Sequence, residues 1–437
     1  MLPNWAISMK KSWFIDLALI SIYKCILDIT FIHYVLPVYE YEAQYAMNHH
    51  VNSSKVAGGY LIVILFMVLF GCIKKNATVS RFVIFVQLIL IVVPYTVIYG
   101  AEDLPFWHIG MLLLGFASVI VAGRWLPTVR VRPPNTAARN VLIYAMVTIV
   151  AYVFIGLFVT GGLGRFNLNF QDVYEARDLY AKNMLPGFGY FVPWVAYTIN
   201  MAWLVNAMRS SSKFQVVASL LLQVLIFAMT NFKSFLFVPF AVIGLIELAK
   251  RMDIRRAVLI GAPAIVGILV SLSALGAPFG TAFINRMFFM PAALHGLYFE
   301  YFSTHPLALF GGSELGVIFG SVYDQSSVYV IAQEYWGRMF SPNVGWVGDA
   351  YANFGPFGVV LFAIVMAMIL NMADGFTSKK SIQPGVAEGL MVGPTLALCS
   401  SALGTVLLTH GLVVALIVLW IFGGNWVTKT RNQPALI

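Results

Sequence analysis

Two segments of the chain, 161–189 and 277–354, hold the polar residues best suited to act on a substrate. Glu300 lies within LYFEYF, where aromatic neighbours could exclude water and raise the pKa of its carboxyl, as a general acid or base requires. A carboxylate paired with an arginine is the structural alternative. Asp349, within VGDAYANFG, is a second carboxylate that could bind a substrate hydroxyl or assist the base.

Two histidines, His295 and His305, flank Glu300 in the sequence. Histidine exchanges protons near neutral pH, so His295 is the second candidate for the base. A single histidine among aromatic residues is more often a structural hydrogen-bonding group, and that interpretation stays open.

Several cations lie in the same segments or in a short turn, and arginine offers two parallel hydrogen bonds to a phosphate or carboxylate. The candidates are Arg165, Arg177, Lys233, Arg286 and Arg338. Lys233, in TNFKSF, and Arg286, in INRMFF, have the least room to reach water, which favours a role in binding phosphate or pyrophosphate. Ion pairing, or a side chain that simply extends to the membrane surface, is the alternative.

Aromatic residues are dense in 277–354, and Tyr298 is one of those placed to contact a ligand. Ring faces stack on sugars, whereas Tyr and Trp are also common at membrane interfaces for structural reasons. Together with the acids and arginines, the aromatic residues favour a carbohydrate groove.

The elements that position these residues are expected to be membrane helices. The chain has 437 residues, of which 60% are hydrophobic and only 10% charged, against about 25% charged in soluble domains. This composition predicts an all-α integral membrane protein with a single polytopic domain over 1–437. A membrane span needs about 20 apolar residues. The twelve predicted spans are 13–36, 57–73, 82–99, 107–123, 140–160, 190–208, 214–230, 234–249, 257–276, 355–373, 387–404 and 406–424.

Charge predicts the orientation of these spans. Most of the 27 lysines and arginines fall in short connections on one side when the N-terminus is placed in the cytoplasm. Both termini are therefore predicted to be cytoplasmic, and 161–189 and 277–354 become the two larger outer loops. The same scatter of basic residues explains the net charge of +9 without nucleic acid, which would need a clustered basic face.

Other kinds of chemistry find no support in the sequence. There is no Walker A motif and no GxGxxG between a strand and a helix, so no cofactor is predicted. The three cysteines lie in predicted spans, and no Cys, His or Asp spacing predicts a metal site. Lys24 and Asp28, four residues apart in the first span, are expected to form a structural ion pair.

Three sequence pieces resemble the O-antigen polymerase (Wzy) family of membrane glycosyltransferases. They are NRMFFMPA followed by LYFEYFS, then NVGWVGDAYANFGPFG leading into a span, and the lysine of NFKSF in a short outer turn. Twelve spans with two larger periplasmic loops are also similar to that family. Arg286, Glu300, Asn343, Asp349 and Asn353 match positions that recur in it, and Arg177 and Arg286 match its two arginine-bearing loops.

The resemblance implies a polytopic glycosyltransferase fold of the GT-C-like type in the bacterial inner membrane. It implies a metal-independent reaction that joins oligosaccharide repeats carried on undecaprenyl pyrophosphate, at the periplasmic face. The lipid-linked oligosaccharide and membrane lipid would be its partners, and a chain-length regulator is expected as well.

Two rival functions remain. An O-antigen ligase would use the same lipid-linked donor with a different acceptor. A polysaccharide flippase or secondary transporter would place its binding groups near the middle of the membrane, on broken helices. The spans after the first lack charged residues there, which favours the enzyme over the transporter.

Overall fold

The computed structural model describes residues 4–45, 50–129, 131–167, 173–276, 279–377 and 385–422, and within these ranges the chain forms helices and no strand. Parts of the two predicted loops, at 168–172 and 277–278, and the expected cytoplasmic C-terminus at 423–437 lie outside the described residues. The helices are α1 (4–39), α2 (Ser53–Gly71), α3 (Thr78–Ala101), α4 (Phe106–Trp125), α5 (Thr136–Val159), α6 (Val173–Lys182), α7 (188–209), α8 (Lys213–Thr230), α9 (Lys233–Ala249), α10 (Ile254–Ala274), α11 (279–304), α12 (Glu314–Phe319), α13 (Ser327–Trp336), α14 (Trp346–Thr377), α15 (Val386–Leu398), α16 (Leu403–Leu408) and α17 (Leu412–Phe422).

Seven of these helices are long and apolar enough to cross a membrane, which is the part of the twelve-span prediction that the described residues support. They are α2, α3, α4, α5, α8, α10 and α14. The other five predicted spans fall on helices that are charged, interrupted or short. α1 carries Lys24 and Asp28, α7 contains a π-turn, and α9, α15 and α17 have 17, 13 and 11 residues.

Within the part of the chain that the structure describes, four helices contain a five-residue π-turn, and each π-turn has a proline close by. The π-turns are Phe31–Val35, Leu88–Val92, Val195–Ile199 and Asn285–Phe289. Pro37, Pro94 and Pro291 lie two residues after three of them, and Pro193 lies two residues before the other. Proline has no N–H to donate and its ring collides with the preceding turn, so the helix opens locally. Side chains then satisfy freed carbonyls, as Tyr23 Oη does at Ile89 O (3.0 Å).

The last two predicted spans are interrupted by irregular backbone, and this backbone lies between packed helices. α15 ends at Leu398, α16 covers only Leu403–Leu408, and α17 begins at Leu412. Trp194 Nε1 donates to Leu408 O (2.6 Å) and Thr198 Oγ1 donates to Gly411 O (3.1 Å). Non-helical backbone at membrane depth is tolerated where protein groups satisfy it, as these two side chains do here.

Segment 277–354, which the sequence predicted as a large outer loop, is largely helical and partly buried within the described residues. Its helix α11 is buried over most of 288–302, including Phe289 and Tyr298, which have no exposed surface. The first half of α14 is also buried, and Trp346 Nε1 donates to Gln87 Oε1 of α3 (2.6 Å). The segment was missed as part of the core because its polar residues interrupt the apolar run that marks a span.

Close helix contact and a sharp kink hold the start of α14 in this position. An added Cβ at Gly115, in the middle of α4, would lie 3.2 to 3.4 Å from atoms of Val359, Val347 and Trp346. Two stretches of α14 therefore reach the same level of α4. Between them, Phe354 and Gly355 leave the helical conformation, and Gly355 adopts φ 62° and ψ −151°, a region open in practice only to glycine.

Candidate functional site

The turn between α8 and α9 places Lys233 beside α11. Asn231 ends α8 in the left-handed conformation (φ 56°), which asparagine tolerates better than most residues. Lys233 then becomes the first residue of α9, and its Nζ lies 5.6 Å from the centroid of the Phe283 ring. A lysine at a helix N-terminus adds charge to the positive end of the helix dipole, an arrangement that favours an anion.

Arg177 of α6 contacts the same turn. Its Nε donates to Asn231 O at 2.9 Å, and its guanidinium carbon lies 4.9 Å from the centre of the Phe232 ring. Arg177 therefore lies against the ring of the residue that immediately precedes Lys233.

Arg165 joins this group through aromatic rings. Its Nη1 donates to Thr160 O, its Nη2 donates to Thr160 Oγ1 (3.2 Å), and its Cζ lies 6.0 Å from the Tyr180 ring centre. The Tyr180 and Phe232 rings are 6.1 Å apart. Burial lowers the pKa of the Arg165 guanidinium and raises that of the Tyr180 hydroxyl.

Arg286 lies on the π-turn of α11. It lies three residues after Phe283, and residues at this spacing are neighbours on a helical surface. The side chain is exposed, with Nη1 3.4 Å from Met290 Sδ. The expectation that Arg286 has little room to reach water is therefore wrong. We call Arg165, Arg177, Lys233 and Arg286 the cation cluster.

His410 and Tyr197 lie next to the cation cluster, and the sequence did not identify either as a site residue. Tyr197 Oη is 2.7 Å from Ser234 Oγ, the residue after Lys233. The His410 ring stacks on the Tyr197 ring with centroids 5.8 Å apart. Tyr197 comes from the π-turn of α7 and His410 from the break between α16 and α17. The signal for His410 was the very short turn between the last two predicted spans.

Glu300 lies in a different environment, near the start of α4. Its Oε2 is 3.3 Å from His108 Nε2, and Tyr95 Oη is 2.9 Å from His108 Nδ1. Tyr95 and His108 have no exposed surface, whereas 44% of the Glu300 side chain is exposed. Rings of Trp107 and Tyr351 line the same place, 6.1 Å apart. We call Tyr95, Trp107, His108, Glu300 and Tyr351 the Glu300 pocket.

The histidine beside Glu300 is therefore His108, which the sequence did not identify, and not one of the two histidines that flank Glu300 in the chain. Five residues along a helix correspond to about 500°, so residues 295 and 300 project in different directions. His295 is buried, with Nδ1 2.8 Å from Pro291 O, and an added Cβ at Gly345 or Gly348 would lie 3.1 or 3.3 Å from its ring. His305 stacks on Tyr301 at 4.1 Å. Both rings fill structural positions.

Asp349, Asn353 and Tyr298 form hydrogen bonds around the kinked start of α14. Asn353 Nδ2 donates to Asp349 Oδ1 (3.1 Å) and Asp349 O (2.9 Å), and its own Oδ1 accepts from Phe310 N (2.6 Å). Tyr298 Oη donates to Pro342 O at 3.0 Å. These contacts fix the backbone of the segment that carries Tyr351.

Asn343 and Arg338 lie apart from both groups. Each side chain is exposed, and the Arg338 guanidinium carbon is 5.1 Å from the Phe340 ring centre. The contacts of the described residues bring neither of them to the cation cluster or to Glu300.

The two groups occupy opposite ends of one helix. Arg286 and Glu300 are separated by fourteen residues of α11, about 20 Å at the helical rise of 1.5 Å per residue. The sequence predicted one centre in which Arg286 and Glu300 act at the same bond. The structure instead separates the cations from the carboxylate–imidazole pocket.

No group of three or more His, Cys, Asp or Glu side chains suited to a metal ion occurs among the described residues. Compared with protein-family models, with curated proteins and with solved structures, the chain gives no significant match.

Proposed function

We propose that the protein joins oligosaccharide repeats carried on undecaprenyl pyrophosphate, as a polymerase of the O-antigen type. The observation that carries the proposal is the placement of Arg165 and Arg177 against the neighbouring rings of Tyr180 and Phe232. Lys233 follows Phe232 in the chain and lies over the Phe283 ring, and Arg286 is three residues after Phe283. Several cations held at one place suit the charge of a pyrophosphate better than that of a neutral sugar.

The proposed reaction is a transfer of the growing chain. A hydroxyl of the acceptor repeat attacks the anomeric carbon of the donor, and a new C–O bond forms. The bond from that carbon to the pyrophosphate oxygen breaks, and the lipid pyrophosphate leaves with the electron pair. Arg177, Lys233 and Arg286 stabilise the charge that develops on the departing group.

His410 is the proton acceptor in this proposal. Its ring stacks on Tyr197, which shares a hydroxyl contact with Ser234 next to Lys233. Thr409 Oγ1 lies 2.8 Å from His410 Nδ1, so Nε2 is the nitrogen that can take the proton. Glu300, the base expected from the sequence, lies at the other end of α11.

We place the reaction at the periplasmic face of the bacterial inner membrane, with both termini in the cytoplasm. The support is the bias of lysine and arginine between the two sides. A chain-length regulator is a further proposed partner, and it rests on the family resemblance alone.

The test is a lipopolysaccharide ladder from a deletion strain that carries wild type or Lys233→Gln, with protein levels matched. We expect the variant ladder to collapse to core plus one repeat. Lys213→Gln is the matched control, because Lys213 is also the first residue of its helix, at the opposite end of α8. A full ladder from Lys233→Gln would contradict the polymerase assignment, and loss of all attached repeats would indicate a ligase.

A transporter is the second candidate, and two structural features favour it. Helices are interrupted at 399–402 and 409–411. Asn200, Ser219 and Gln223 also form a buried network, with Asn200 Nδ2 2.7 Å from Gln223 Oε1. Broken helices and buried polar groups are features of transporter binding sites. Movement of the lipid-linked repeat across proteoliposomes, with no polymer formed, would establish this function instead.

A further inference from the structure

The Glu300 pocket has the composition of a binding site, although the proposed reaction does not use it. Glu300 is partly exposed, and behind it His108 and Tyr95 are fully buried. A carboxylate that only neutralised a neighbouring cation would not need two buried polar groups from two other helical segments. The structure thus places a partly exposed carboxylate in front of two buried polar groups.

The hydrogen bonds set the direction of each group. Tyr95 Oη lies 2.9 Å from His108 Nδ1, and a tyrosine that donates there leaves the proton of the imidazole on Nε2. His108 Nε2 is buried and, within the described residues, makes no hydrogen bond, although Glu300 Oε2 is 3.3 Å away. The buried N–H of His108 therefore faces the Glu300 carboxylate, and this partly exposed carboxylate is the acceptor that a ligand can reach.

The backbone makes room for this arrangement at Gly296. An added Cβ at this residue of α11 would lie 3.1 Å from Tyr95 Oη and 3.8 Å from His108 Nδ1. A larger residue would push the tyrosine and the imidazole away from the helix that carries Glu300.

Aromatic rings line the pocket. The Trp107 ring centre lies 4.2 Å from that of His108, and Tyr351 lies 5.1 Å from Phe299. Trp107 is half-buried and so presents part of its ring to a ligand. Aromatic faces pack against the C–H faces of sugars, while a carboxylate accepts hydrogen bonds from sugar hydroxyls.

We propose that the Glu300 pocket binds a neutral sugar of the oligosaccharide whose pyrophosphate end is held at the cation cluster. This inference rests on the proposed function, and it assigns Glu300 to substrate recognition rather than to proton transfer. The separation of about 20 Å along α11 matches an oligosaccharide of several sugars, not a single bond. A neutral sugar fits because the partly exposed Glu300 carboxylate would repel an anionic sugar.

The experiment measures binding to the full-length purified protein with three probes. They are undecaprenyl pyrophosphate, the lipid-linked repeat extracted from a strain that lacks this protein, and the free repeat released from it by mild acid. Glu300→Gln is expected to weaken binding of the lipid-linked and free repeats on the order of tenfold. It should leave the affinity for undecaprenyl pyrophosphate unchanged, whereas Lys233→Gln should weaken binding of both lipid probes.

Tyr95→Phe provides a second variant, expected to weaken repeat binding less than Glu300→Gln because it removes only the group that orients His108. Glu314→Gln, an exposed acid in the first turn of α12, is the control for charge, and Tyr23→Phe is the control for loss of a buried hydroxyl. Variants are compared only where gel filtration gives the same monodisperse peak.

The possible results separate the two proposals. Unchanged repeat binding by Glu300→Gln, or an equal loss for undecaprenyl pyrophosphate, would overturn the sugar pocket. Wild-type binding of the free repeat but not of undecaprenyl pyrophosphate would keep the pocket and overturn the proposed function. If the wild type bound neither the free repeat nor undecaprenyl pyrophosphate, both proposals would be overturned.

Discussion

The cation cluster and the Glu300 pocket are built in opposite ways. The cations reach their place on long side chains that lie against rings, with Arg177 at 4.9 Å from Phe232 and Lys233 at 5.6 Å from Phe283. In the pocket, buried groups with few rotatable bonds are joined by short contacts. The cation cluster is therefore suited to a charged group whose position can vary. The Glu300 pocket is suited to one defined arrangement of hydroxyls.

The largest effect is expected where charge on the substrate is greatest. Arg177→Gln should lower the rate of polymer formation on the order of a hundredfold, since removal of one charge-stabilising donor costs that much in comparable sites. The measurement is polymer formed per minute by the purified protein from lipid-linked repeats. Lys182→Gln, exposed on the same helix, should keep the wild-type rate. An equal loss in both variants would show a general charge effect.

Loss of the hydrogen bonds that hold the start of α14 beside the Glu300 pocket should lower the stability of the fold. Asn353→Leu leaves Phe310 N and Asp349 without the partners that Asn353 provides. The expected cost is about 1–3 kcal/mol in the free energy of unfolding, the usual price of a buried polar group left unsatisfied. The apparent melting temperature in detergent is the measurement. Asn343→Leu changes an exposed asparagine and should leave the apparent melting temperature unaltered. If Asn353→Leu melted at the same temperature as wild type, the hydrogen bonds of Asn353 would not stabilise the fold.

A smaller effect is expected at the wall of the cation cluster. Tyr197→Phe removes one hydroxyl, 2.7 Å from Ser234 Oγ, and keeps the ring on which His410 stacks. Loss of one neutral hydrogen bond should lower the polymerisation rate about fivefold, in line with 0.5–1.5 kcal/mol. Ser234→Ala should give a loss of the same size without adding to it. Additive losses would mean that the two hydroxyls act separately.

The smallest effect concerns pH, at the connection that leads into α4. Hydrogen bonds from Lys55 and Asn52 hold the pKa of Asp103 below its usual range. A lowered pKa stabilises the fold above the unfolded value of about 3.9, and this contribution is lost as the pH falls through the lowered value. Between pH 5 and pH 3, the melting temperature should therefore fall more steeply for wild type than for Asp103→Asn. Parallel curves would contradict this account.

The sequence identified the residues of the cation cluster better than those of the Glu300 pocket. Arg165, Arg177, Lys233 and Arg286 stand out because they are rare cations in an apolar chain. Arg165 and Arg177 contact the neighbouring rings of Tyr180 and Phe232, and Phe232 immediately precedes Lys233. Arg338 carries the same signal but lies apart. The pocket depends on Tyr95 and His108, which follow from no local pattern because they lie about 200 residues from Glu300 in the chain.

The sequence alone predicts the membrane-helix character of the protein, because apolar residues in long runs leave the backbone no other way to satisfy its hydrogen bonds. Proline does not by itself locate the π-turns, since Pro239, Pro263 and Pro394 lie inside helices without one. The packing of helices buries α11 and the start of α14, places Glu300 beside His108 and stacks His410 on Tyr197. Those contacts arise from helices distant in sequence, and residue spacing along the chain carries no information about which of them meet.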